Sequence, residues 1–242
     1  LLTSTAAGGG AALFAQEKPA AKQNTRDDGG VIVAEGPTQI SEDAAASTAA
    51  ATAYSYEFTQ PEFYTRHIVI EHDERGRGKI TFERKNEMSA LTEPIELSEV
   101  ALGRIASHWN ALRFLESQDS YQASKQFPHL GTMRLKMQRG TAARTAEFNW
   151  TSNRSVSSLI DEYRRIGEQA IFIFDIKLAR EMQPLEAPKI MSRLEMLLSR
   201  NGISDARQIL PLLEDLTTDE RIPLIARNQA DRLVKKIKKL KT

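Results

Sequence analysis

Cysteine is absent from the 242 residues. That removes disulfide frameworks, thiol nucleophiles and cysteine-held metals together. Charge imbalance is missing as well: Lys and Arg total 33 against 32 for Asp and Glu. Bulk charge therefore favours neither nucleic acid nor an anionic membrane as partner. No segment approaches the roughly 20 apolar residues that span a bilayer. The linear signatures of chemistry are missing too. There is no Gly-x-x-x-x-Gly-Lys, no Gly-x-Gly-x-x-Gly, no His-Glu-x-x-His and no Gly-x-Ser-x-Gly. Gly76-Arg77-Gly78 lies in a hairpin turn, which explains its glycines without a phosphate. No cofactor or resident metal is expected.

What is present begins with an uncharged stretch of small and apolar residues, LLTSTAAGGGAALFAQ, ending at Glu17-Lys18. Residues 1–15 read as a signal-peptide remnant with processing near Ala15, the alternative being an Ala/Gly-rich disordered end. Export to a periplasmic or extracellular location follows. Residues 16–53 carry no aromatic side chain. Such a composition buries too little apolar surface to offset the entropy of ordering, so a disordered Ala-rich linker is expected. Residues before Tyr54 should then be dispensable for folding.

From Tyr54 the patterning changes. Tyr54, Tyr56 and Phe58 alternate, as on a strand or an extended arm. His67–Glu71 and Lys79–Glu83 flank a glycine-bearing turn and read as a hairpin. Ser98 caps a helix with the stripe Ala101, Ile105, Trp109, Leu112 and Leu115. A second hairpin follows. Met133, Leu135 and Met137 alternate with Arg134, Lys136 and Gln138, while Ala146, Phe148 and Trp150 alternate with Thr145, Glu147 and Asn149. Trp150 is placed on the apolar face, buried against the next helix.

That helix is the hub. Val156, Leu159, Ile160, Tyr163, Ile166, Ala170, Phe174 and Leu178 recur at helical spacing between Ser155 and Met182. The apolar positions spread beyond one stripe near Ile171 and Phe172, which implies burial on several sides. The expected fold is α+β: residues 54–183 form a four-stranded antiparallel sheet with two helices on one face, ββα-ββα. Residues 184–242 form a small helical segment.

Ile209-Leu210-Pro211-Leu212-Leu213-Glu214-Asp215-Leu216, then Asp219, Arg227, Ala230 and Leu233, resembles a single HEAT-type helical repeat. The resemblance implies a packing or protein-contact unit and no catalysis. The α+β part is similar to exported bacterial domains of two hairpin–helix units, a likeness that carries no functional residues.

Few side chains point to chemistry. His67 and His72 lie five apart on one strand and so face opposite ways. His72 sits beside Glu71, Asp73 and Glu74, a cluster expected to be a solvated turn. His108 belongs on a helix flank, and His129 in a long loop without an identifiable partner. The binding candidates are basic: Arg134, Lys136 and Arg144 on the sheet face away from the core, and Lys235, Lys236, Lys238 and Lys239 on the last helix. Leu233, Val234, Ile237 and Leu240 are needed to pack that helix, so no more than weak contact with an anionic surface is expected. The function expected is an exported, non-enzymatic binding or scaffold protein that contacts another protein or an envelope component. The alternative is a small hydrolase whose site has no linear motif.

Overall fold

The computed structural model describes residues 51–240, and the expected signal remnant and nearly all of the expected linker lie outside them. Six strands form one antiparallel sheet: β1 (Thr52–Thr59), β2 (Thr65–Asp73), β3 (Arg77–Arg84), β4 (Leu91–Glu96), β5 (Thr132–Arg139) and β6 (Ala142–Phe148). Their order is β4-β3-β2-β1-β5-β6. The helices are α1 (Glu99–Leu112), α2 (Arg154–Met182), α3 (Ala187–Ser199), α4 (Leu210–Thr218) and α5 (Leu224–Lys238).

The α+β class and the antiparallel sheet agree with the sequence reading; the four-strand ββα-ββα layout does not. Two strands account for the difference. The aromatic alternation of Tyr54, Tyr56 and Phe58 belongs to a central strand that pairs with both β2 and β5, not to an arm. The other strand, β4, contains Pro94. Proline removes a ladder donor, which is tolerated because β4 is an edge strand. Four strands therefore precede α1 and two precede α2. Ordered pairing also starts inside the expected linker, since Thr52 and Ala53 already pair with Arg139 and Gln138.

Local chemistry sets the ends of these elements. Asp73 Oδ1 accepts from the backbone N–H groups of Arg75 and Arg77, both at 2.9 Å, and closes the β2–β3 turn around Gly76 at φ +79°. At Gly78 a Cβ would lie 1.8 Å from the Glu71 carbonyl oxygen, so no other residue fits. Ser98 caps α1 by accepting from Ala101 N–H, and Asn153 caps α2 by accepting from Val156 N–H.

Two cores meet along α2. Ile70, Ile80, Phe82 and Leu135 from the sheet pack with Ile105 and Trp109 of α1 and with Leu159 and Tyr163 of α2. Further along, Phe172 and Ile176 of the same helix join Met191, Leu194, Leu213, Leu216, Ala230 and Leu233 of α3–α5. The expected hub is present as a 29-residue helix. Among the described residues no helix is long and apolar enough to cross a membrane.

A buried polar network between these layers centres on Glu162. Glu162 has no exposed side-chain surface and receives Arg104 at 2.9 and 2.8 Å, Arg165 at 2.6 Å and the Ser204 hydroxyl. It thereby joins α1, α2 and the loop after α3. Burial pushes its carboxyl up, but the bonds from Arg104 and Ser204 and the charge of Arg165 outweigh burial and hold the pKa below the ordinary value. Asp219, after α4, is likewise held low by Arg221 and Arg180. Its partners are therefore not Arg227, the residue of the HEAT-type pattern.

His72, expected at a solvated turn, is only 4% exposed. It belongs to a hydrogen-bonded chain. Trp109 Nε1–H reaches Tyr163 Oη at 3.1 Å, Tyr163 Oη lies 2.8 Å from His72 Nε2, and His72 Nδ1 lies 2.7 Å from the Asp73 carbonyl.

Trp150 also departs from expectation. Strand β6 stops at Phe148, so the alternation ends two residues early and Trp150 is 45% exposed, stacked edge-on against Phe127. Trp109 is the tryptophan of the core, 1% exposed. Replacing Trp109 by Ala should cost about 3–5 kcal/mol, whereas Trp150→Ala should cost about 1 kcal/mol or less. Urea unfolding of both variants measures the contrast, and equal costs would contradict this placement.

Removing Glu162 leaves two arginines facing a buried gap, so Glu162→Ala should cost about 3–5 kcal/mol. The pH dependence has a definite sign. Glu162 and Asp219 have folded pKa values below their unfolded ones, so each stabilises fully above the ordinary carboxylate range. That contribution is lost as pH falls through about 4 towards the folded values. The unfolding midpoint should fall steeply below about pH 4.5, and Glu162→Gln should make that fall shallower.

Candidate functional site

The basic residues expected to bind are scattered by the structure. Arg134 does lie on the outer sheet face, but its guanidinium is taken up by Glu57 and Glu147, both at 2.7 Å. The pairing extends across the sheet through His67, which bridges Glu57 at 3.0 Å and Glu83 at 3.4 Å. Lys136 is exposed in the same row, opposite Ser55 and Thr145. Arg144 is not on that face. It stands opposite Met137 and shares the inward parity of Ala146 and Phe148. Its guanidinium covers the Phe114 and Tyr121 rings and donates to the Phe114 and Asp119 carbonyls. Arg144 thus holds the loop after α1.

On α5, Lys235 pairs with Asp231 and Lys238 with Glu214, while Lys236 and Lys239 are exposed. Leu233, Val234 and Ile237 are buried in the helical core. The apolar side of α5 is therefore engaged in packing.

The structure offers a different site. On the helix side of the sheet, α1 covers the end that holds Tyr54 and His72, with Trp109 5.5 Å from Tyr54. Antiparallel pairing collects the other strand ends at the opposite edge: the end of β1, the starts of β2 and β5 and the exit of β6. A cleft of about 760 Å³ opens there between the sheet and α2. Its floor is Tyr56, Met133, Ile160 and Tyr163, all buried, with the Tyr56 and Tyr163 rings stacked at 5.1 Å.

The rim is aromatic. Phe63, Tyr64 and Trp150 line it and are 46%, 58% and 45% exposed. The loop that carries the first two is pinned by Gln60, whose side-chain amide donates to the Pro128 and His129 carbonyls at 3.3 and 2.7 Å. Large aromatic side chains left exposed around a concavity mark a binding surface more often than a solvated one.

Charges border the cleft in pairs. Arg164 lies 3.5 Å from Asp161, and Arg193 of α3 meets Glu168 at 2.7 Å. Burial pushes the Tyr56 phenol up to about 12, against a lowering pull from Arg164, and burial raises Tyr163 further still. Both phenols therefore stay protonated at any working pH. Neither is a base, and the Tyr163 hydroxyl is already engaged by Trp109 and His72. Thr65, Thr151 and Ser157 add hydroxyls to the lining, and no histidine is among the described residues that line it. The described residues also contain no cluster of three or more His, Asp or Glu suited to a metal ion.

Sequence reasoning missed this cleft. Its signal was present in Gln60-Pro61-Glu62-Phe63-Tyr64, where two aromatic residues sit in a short proline-bearing loop with no strand to bury them.

No protein-family model matches this sequence, and no curated protein matches it significantly.

Gly167 lines the cleft from the middle of α2. A Cβ there would meet Ile70 and Ile68 at 3.7 and 3.9 Å, ordinary contact distances. Alanine gains about 1 kcal/mol over glycine in a helix interior. Gly167→Ala should therefore raise stability by up to about 1 kcal/mol in urea unfolding. A destabilised variant would mean that α2 sits closer to the sheet than this geometry allows.

Proposed function

We propose that the chain is a non-catalytic binding protein whose ligand lies in the aromatic cleft between α2 and the sheet. The observation that carries the reading is the cleft itself: a 760 Å³ concavity with a buried apolar floor and three exposed aromatic side chains at its rim. Its volume falls within the range of small-molecule and cofactor sites, and aromatic groups with a few polar neighbours are the usual lining. The outer sheet face is a weaker candidate, because Arg134 is committed to Glu57 and Glu147. A hydrolase reading has hydroxyls in the cleft, but its two carboxylates, Asp161 and Glu168, are paired with Arg164 and Arg193.

Two further parts of the reading rest on sequence. Export is proposed from Leu1–Gln16, and N-terminal sequencing of protein from a producing cell should then begin near residue 16. The helices α4 and α5 are proposed as a HEAT-type contact unit. Alanine substitution of their exposed residues should leave stability unchanged and weaken any protein partner that uses them.

The cleft is tested with N-phenyl-1-naphthylamine, a neutral apolar dye that brightens when bound. One dye per chain should bind wild type. Phe63→Ala and Trp150→Ala should each weaken binding about tenfold while costing about 1 kcal/mol of stability or less. Equal dye affinity in all three proteins would place the dye elsewhere and refute the reading.

A further inference from the structure

Three residues from three elements meet behind the cleft floor, and their hydrogens can be assigned from donor chemistry alone. Indole N–H only donates, so Tyr163 Oη accepts from Trp109 Nε1 at 3.1 Å. A carbonyl only accepts, so His72 Nδ1 carries a hydrogen and donates to the Asp73 carbonyl at 2.7 Å. His72 Nε2 in a neutral ring is then a bare acceptor, and the Tyr163 hydroxyl donates to it at 2.8 Å. The chain runs one way, α1 to α2 to β2, and every group in it is satisfied.

We propose that this chain is a proton-sensitive latch: protonation of His72 breaks it, loosens α2 from β2 and α1, and lowers the affinity of the cleft. An added proton turns one link of the chain around and strands another. A doubly protonated ring turns Nε2 into a donor facing Tyr163 Oη. The Tyr163 hydrogen then has no acceptor in a core where Tyr163 is wholly buried. The new charge also lies in a site only 4% exposed.

Of the neighbours, only Asp73 supplies a counter-charge, and burial outweighs it. From β1, Tyr54 stacks on the His72 ring at 5.1 Å. Arg139 of β5 and Glu74 of the turn act on Tyr54 from further out and oppose each other. From α2 and α1 come Tyr163 and Trp109, both neutral. The nearest carboxylate is that of Asp73, and its Oδ1 is already engaged by the Arg75 and Arg77 backbone N–H groups. Burial lowers the His72 pKa below 6.5, against raising contributions from the Asp73 carbonyl and carboxylate.

The link to the cleft is Tyr163, which lines it and stacks on Tyr56 at 5.1 Å with the planes 3° apart. This part rests on the cleft being a binding site; the latch itself does not.

The sign follows from linkage. A histidine whose folded pKa is depressed favours the folded state when neutral, so stability is full above about pH 6.5 and declines as pH falls below it. That window lies above the carboxylate window of Glu162 and Asp219, so the two can be separated.

The experiment follows the full chain from pH 7.5 to 5. The urea midpoint should fall below about pH 6.5 with a slope approaching one proton, and Trp109 emission of the folded chain, read in a Trp150→Phe background, should shift at lower pH, where the folded His72 takes up its proton. His72→Gln keeps an acceptor for Tyr163 without a titrating ring and should abolish both changes. Should that variant fail to fold, the imidazole proton resonances of wild type decide the matter. The His72 ring should stay neutral below the ordinary histidine range, and titration within that range would overturn the latch. Dye affinity should fall together with the Trp109 shift. Constant dye affinity through that shift would refute the coupling to the cleft, whereas absence of dye binding at every pH would refute the cleft reading and leave the latch standing.

Discussion

Helix α2 has to be buried twice. Its first half covers a sheet and its second half completes a helical cluster, so the side chains of one continuous element serve two cores. Neither core closes without it. The composition of the helix reflects this demand. Its exposed positions are too few for a surface helix near Ile171 and Phe172, where burial changes from the sheet side to the side facing α3–α5. A helix in that situation has little freedom to slide or rotate, because a shift that suits one core misaligns the other.

Charged residues fix the same alignment. Along α2, Glu162 is tied to α1 and to the loop after α3, Asp175 to Arg84 of β3 and Arg193 of α3, and Arg180 to Asp215 and Asp219 around the end of α4. Ion pairs of this type add little net stability when compared with apolar packing, since desolvation offsets the attraction. Their effect is selective: each partner comes from a different element, so a misplaced helix leaves charges stranded. Arg84 shows how closely the arrangement is filled. It lies over the Phe82 and Phe174 rings and is 6% exposed, with a buried Nε that has no partner among the described residues.

Much of the fold was legible because its signals are local. The period of α2, its Asn153 cap and the strict alternation of Met133, Leu135 and Met137 are all properties of neighbouring residues. The misreadings share one cause, which is that each depended on a partner distant in sequence. Whether Tyr54–Phe58 is an arm or a central strand is decided by Thr132–Arg139, its second neighbour. Whether Pro94 can sit in a strand is decided by β4 lying at the edge of the sheet among the described residues. His72 looked solvated because its sequence neighbours are acidic, yet its ring is enclosed by Tyr54, Trp109 and Tyr163. Arg144 was misplaced although its parity with Ala146 and Phe148 was visible, because positive charge suggested an outer face and an aromatic cover was not foreseen. The cleft was illegible for the same reason. It is assembled from strand ends, one loop and two helices, and no stretch of chain contains it.

The position of β1 has a consequence for how the chain is made. Among the described strands it is the first to leave the ribosome, and it lies in the middle of the finished sheet, paired on one side with β2 and on the other with β5. The first edge is covered almost at once by β2. The second waits for Thr132–Arg139, and at roughly 5–20 residues per second that wait is on the order of 4–15 s. During it, a strand bearing Tyr54, Tyr56 and Phe58 presents unpaired backbone groups to whatever is nearby. Translation speed across residues 60–140, and whatever shields a nascent edge, therefore bear on the yield of this protein more than on its final stability.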